Sequence, residues 1–159
     1  MTRPTDAQAL GRAHRTNAFA QGEEMLSKRI LLAYDGSEQA RRALDFAVEL
    51  AKAMKAEIGV VSVVPVHAGR IGVDPWDDRK VHSAELVEAR RIITEAGLTA
   101  ELHEPYGEVA DAIVRTAESG SYDHIVTGSR HLGLVQRTLQ GSISEAIATK
   151  FPATVTIVH

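Results

Sequence analysis

Five short apolar runs, separated by stretches of helical periodicity, constrain this chain most. Ile30, Leu31, Leu32, Ala33 and Tyr34 are consecutive, the pattern of a strand covered on both faces of a parallel sheet. Asp35, Gly36 and Ser37 break that run. Over residues 38–55, Ala40, Ala43, Leu44, Ala47, Val48, Ala51 and Met54 recur at three- and four-residue spacing, which predicts an amphipathic helix. Residues 58–64 read as a second buried strand, and residues 65–78 as a loop with Gly and Pro turn signals and Trp76 exposed or packed locally. Helical spacing returns over residues 81–96, with Gly97 as its C-cap. A third strand follows at 99–103, a third helix at 108–118, a fourth strand at 124–127 and a fourth helix at 142–150. A last, β-branched strand occupies 153–158, with Pro152 at its start, where a missing N–H is tolerated. This alternation predicts an α/β fold: one doubly wound, five-stranded parallel sheet with right-handed crossovers and helices on both faces.

The 159 residues suit one domain with a real core. Residues 1–27 are polar and mixed in charge, so we expect a flexible N-terminal arm there and a folded domain over 28–159. Aromatic residues make up 4% of the chain and the net charge is -3. Neither supports base stacking or a basic phosphate-binding face, so no nucleic-acid partner is expected. The longest apolar run, 58–66, is interrupted by Gly59, Ser62 and Pro65 and is too short to cross a bilayer. No signal peptide is evident after Arg3, Arg12 and Arg15. Cysteine is absent, which excludes disulfides and thiolate metal sites. The expected setting is cytoplasmic, without membrane contact.

In such a sheet, ligands bind beyond the carboxyl ends of the strands, where strand order reverses. That rule singles out residues 33–37, 62–64 and 127–142. Gly128 ends the apolar run Ile125, Val126 and Thr127, and Gly141-Ser142 leads into a helix. Exposed N–H groups and the positive end of the helix dipole make such a junction suited to an anion. Ser142 with Glu145 also fits a capping box, which uses the same N–H groups. Neither Gly-Lys-Ser/Thr nor G-x-G-x-x-G is present. Asp35-Gly36-Ser37 reads as a turn and helix cap, or as a placement of the Asp35 carboxylate against a ribose hydroxyl, an exocyclic amine or a metal-bound water. His14, His67, His82, His103, His124 and His159 form no i, i+4 pair, so each reads as a surface or satisfied loop residue, not a metal ligand. Residues 85–91 read as the solvated face of the second helix. No catalytic triad or carboxylate pair stands out in the loop segments.

Three stretches resemble the universal stress protein family over residues 29–159: Ile30 through Ser37, Asp123 through Arg130, and Gly141-Ser142-Ile143-Ser144-Glu145 with the final strand. The family's ATP-binding branch carries the loop pattern G-x2-G-x9-G-[S/T]. Gly128, Gly141 and Ser142 match it at the correct spacing, and His131 stands at the second glycine. The resemblance implies a Rossmann-like, adenine nucleotide alpha hydrolase-like sheet of strand order 3-2-1-4-5. It also implies an adenine nucleotide such as ATP, with or without Mg2+, bound by a sensor or regulatory module of the stress response. Adenine would lie near Asp35 and the Val63 backbone, and the ribose against Ala33 and the Thr127-Gly128 backbone. Phosphates would lie on N–H groups around His131 and of Gly141, Ser142 and Ile143. A Cβ at position 131 raises the cost of positive φ and of close phosphate approach. His131 therefore either weakens triphosphate binding or, when protonated below about pH 6.5, contacts phosphate itself. The resemblance further implies a homodimer paired through residues Thr154–Val158. A non-nucleotide-binding member acting through partner contacts, and a slow nucleotide hydrolase, are the alternative readings.

Overall fold

The computed structural model describes residues 28–66, 75–129 and 143–159. Its elements run β1 (Arg29–Ala33), α1 (Glu38–Met54), β2 (Glu57–Val61), β3 (Val64–Pro65), α2 (Pro75–Glu95), β4 (Ala100–His103), β5 (Tyr106–Gly107), α3 (Val109–Ser119), β6 (His124–Gly128), α4 (Ile143–Lys150) and β7 (Thr154–Val158). Five strands form one sheet in the order β4-β2-β1-β6-β7, and every pairing is parallel. Counting only these five, the order is the expected 3-2-1-4-5. The chain winds outward one way from β1 and then the other, so strand order reverses between β1 and β6.

The continuous apolar run of β1 follows from burial on both sides. Ile30 and Leu32 pack with Leu44, Ala47, Val60 and Ile93 beneath α1 and α2. Leu31 and Ala33 pack with Val61, Ile113, Ile125 and Ile147 beneath α3 and α4. Ile30, Leu31 and Leu32 are wholly buried, and truncating any one to Ala costs about 2–5 kcal/mol through lost transfer energy and the cavity left behind.

Two expectations are corrected. The strand expected over 58–64 divides, because β1 leaves the ladder after Ala33, and Val64 then pairs with Tyr106 of β5 in a separate two-stranded sheet. Helix α2 begins at Pro75, within the segment expected to be a loop. Proline suits a first helical position, where its missing N–H would have no partner anyway. Helices α1 and α3 close with paired backbone bonds: Ala56 N–H to Ala51 C=O with Lys55 to Lys52, and Tyr122 to Ala117 with Ser121 to Glu118. Lys55 and Ser121 adopt left-handed φ of 54° at these caps, a conformation usually given to glycine. The N-terminal arm expected over 1–27 lies outside the described residues.

Candidate functional site

Parallel winding sets the N-termini of α1, α3 and α4 at the carboxyl ends of the strands. Between them lies a cavity of about 390 Å³, within the size range of small-molecule sites. Ala33, Asp35, Val63, Thr127, Gly128 and Ile143 all line it. The three sequence stretches singled out at strand ends thus meet at one cavity. His131, Gly141 and Ser142 lie outside the described residues.

The turn into α1 is built locally. Gly36 has φ +71°, which L-residues with a side chain adopt at a cost. The Ser37 N–H donates to Asp35 Oδ1 at 3.1 Å. Ser37 Oγ in turn accepts from the Ala40 N–H at 3.2 Å, capping the helix. So the cap falls to Ser37, and Asp35 holds the turn from below.

At the second wall the backbone itself supplies recognition groups. Tyr34 N–H donates to Val61 C=O, whereas Ser62 and Val64 donate to His103 and Pro105. Peptide groups alternate sides along a strand, so Val63 turns its N–H and C=O toward β1 and the cavity. One donor and one acceptor on a single residue suit a ligand edge that carries the complementary pair.

Gly128, at the end of β6, is required by packing. A Cβ there would lie 2.6 Å from the carbonyl carbon and oxygen of Gln39 and 2.9 Å from the Ala40 nitrogen. The strand therefore sits directly against the first turn of α1. Its carbonyl accepts from Ser144 Oγ at 3.2 Å, which ties α4 to β6. The helix starts at Ser37 and Ile143 face the cavity with the positive ends of their dipoles.

Three side chains join below Val63. The Ser62 hydroxyl, almost fully buried, donates to Glu85 Oε2 at 2.7 Å. His82 Nδ1 lies 2.9 Å from both the same carboxylate oxygen and Ser62 Oγ. Glu85 also packs beneath Gly36, its Cγ 3.3 Å from where a Cβ would stand. Beside it, Glu88 accepts from Tyr34 Oη and Arg41, and burial holds the Tyr34 phenol above its usual pKa. Residues 85–91 are therefore not simply a solvated face: Glu85 and Glu88 turn inward. Their spacing from His82 and Tyr34 in sequence hid this, although His82 and Glu85 at i, i+3 share a helix face.

His103 and His124 also depart from a surface or loop reading, whereas His159 is exposed as expected. His103 on β4 meets the Tyr122 hydroxyl at 2.8 Å, and His124 on β6 is buried with Nε2 2.8 Å from Thr156 Oγ1. Among the described residues no group of three or more His, Cys, Asp or Glu is placed to hold a metal. No helix among them is long and apolar enough to cross a membrane. His14 and His67 lie outside the described residues.

A model of the universal stress protein family matches residues 27–159. A universal stress protein of Thermus aquaticus, from the QAH/OAS sulfhydrylase 3' region, is 34% identical over 135 residues, covering 83% of this chain and 98% of its own. Among solved structures, a universal stress protein in complex with cAMP superposes with a TM-score of 0.71 at 26% identity, covering 84% of this chain and 98% of that one. The universal stress protein of Archaeoglobus fulgidus in complex with dAMP gives a TM-score of 0.67 at 26% identity, covering 85% of this chain and 100% of that one.

Proposed function

Because the chain belongs to the universal stress protein family, we propose that it binds an adenine nucleotide at the carboxyl ends of β1, β2 and β6, as a cytoplasmic sensor or regulatory module of the stress response. The carrying observation is the outward edge of Val63. Its N–H and C=O match the N1 acceptor and 6-amino donor of adenine, and a cavity lies directly before them. The relatives solved with cAMP and dAMP support the same ligand class.

The charge distribution orients the nucleotide. Asp35 and Glu85 make the β1–β2 end acidic, so it suits a base bearing an amine and repels phosphate. The α4 start at Ile143 offers N–H groups and a positive dipole end. Adenine then rests by Asp35 and Val63, the ribose by Ala33, Thr127 and Gly128, and phosphates by Ile143 with His131, Gly141 and Ser142. ATP, with Mg2+ carried on its phosphates, is the leading candidate among adenine nucleotides.

The domain over 28–159 acts as a homodimer paired through β7. This strand closes one edge of the sheet, and its Val155 and Ile157 are only partly covered, so a second copy would satisfy its outer backbone groups. Mass spectrometry of nucleotide released from the purified protein, with calorimetric titration by ATP, ADP, AMP and cyclic AMP, tests the reading. Binding of at least one is expected, and binding of none overturns it.

A further inference from the structure

The cluster below Val63 reaches beyond backbone recognition. Ser62, His82 and Glu85 have the composition of a nucleophilic triad, but not its wiring. A triad needs the serine on one imidazole nitrogen and the carboxylate on the other. Here both Ser62 Oγ and Glu85 Oε2 meet Nδ1, each at 2.9 Å, so the ring has no path to pass a proton from serine to Nε2.

The same arrangement settles which nitrogen carries the proton. An unprotonated Nδ1 would set its lone pair against a carboxylate oxygen. The hydrogen therefore sits on Nδ1 and points at Glu85, so that in the neutral form of the ring Nε2 is the acceptor. Among the described residues Nε2 has no hydrogen-bond partner, and His82 lines the cavity. With side chains 16% and 14% exposed, His82 and Glu85 form a sheltered pair. Ser62, to which the ring is bonded, directly precedes Val63, so the imidazole stands beside the backbone edge that would meet a base.

The geometry points to His82 as a specificity-determining residue that accepts a hydrogen bond at Nε2 from the exocyclic amine of a bound adenine, with Glu85 as its positioning residue. This rests on the adenine-nucleotide reading above. An adenine amine carries two hydrogens. The Val63 carbonyl takes one of them. His82 supplies an acceptor for the second, and the same lone pair faces a 6-oxo group with repulsion.

The test is calorimetric titration of the full-length protein with AMP and with purine riboside 5′-monophosphate, which lacks only the amine. The wild type should prefer AMP over the analogue, and His82→Phe should lose on the order of tenfold of that preference. Nitrogen-15 spectra of the histidine rings provide a second readout that needs no cavity variant. In the wild type His82 should show a protonated Nδ1 and a bare Nε2 whose resonance moves with AMP and not with the analogue. Glu85→Gln should give a mixture of tautomers. An unchanged AMP preference in folded His82→Phe, or an Nε2 resonance indifferent to AMP, overturns the inference and leaves nucleotide binding intact. Failure of the wild type to bind either compound overturns both.

Discussion

Replacing Gly128 by Ala separates packing from ligand binding in this fold. The new Cβ would stand 2.6 Å from the Gln39 carbonyl carbon and oxygen, against about 3.5 Å or more for comfortable contact. Relief needs a movement of roughly 0.9 Å between β6 and α1. The opposing atoms are helix backbone, so no side chain can swing aside. Overpacking of this kind costs about 3 kcal/mol. Losing a glycine also restricts the unfolded chain and returns about 0.7 kcal/mol. The net destabilisation is about 2 kcal/mol, or roughly 8 °C in Tm for a domain of this size. Gly97→Ala is the control: no atom lies within 4 Å of its Cβ position, but φ is +83°. It should cost only about 1 kcal/mol, through the left-handed backbone. Thermal and urea unfolding without ligand measure both. A Gly128→Ala protein within 0.5 kcal/mol of wild type would refute the close-packing argument and leave this glycine a purely ligand-side role.

Two further outcomes follow from the caps and the buried histidines. Lys55→Gly relieves a left-handed lysine at the end of α1 and should stabilise by up to about 1 kcal/mol in urea unfolding; destabilisation would show that the lysine side chain matters more than its φ. Burial pushes the pKa of His103 and of His124 below the usual 6.5. Above that pH both states hold these rings neutral. As pH falls through 6.5 the unfolded chain takes up protons that the folded state refuses, so stability should decline toward pH 5. A urea midpoint that stays flat or rises between pH 7.5 and 5 would contradict this sign.

Much of the site was legible because parallel winding converts order along the chain into position. Ala33, Asp35, Val63, Thr127 and Gly128 each lie at or just beyond the end of an apolar run, and in a doubly wound sheet the ends of such runs converge. Helix periodicity located α1 and α3 within a residue, since each buries one stripe. The start of α2 was not legible in that way. Its first residues, from Pro75 to Lys80, carry no apolar repeat, and only the proline hints at a helix start. The Ser62–His82–Glu85 cluster was hidden more deeply, since Ser62 lies twenty residues before its imidazole partner.

The sequence by itself determined the sheet, its strand order through the family resemblance, and the end at which a ligand would enter. The sheet and its ligand end follow from local periodicity and from the handedness of β-α-β crossovers, which act on every chain of this pattern. Tertiary structure alone decided how individual residues are used. Gly128 reads in sequence as the first glycine of an anion-binding loop, with its backbone against a ribose; the fold adds that it is the point where a strand touches a helix backbone. His82 reads as a surface or satisfied loop histidine; in the fold a carboxylate from its own helix and a serine just after β2 orient its ring. Such roles depend on distances between segments far apart in the chain, and no local pattern records them.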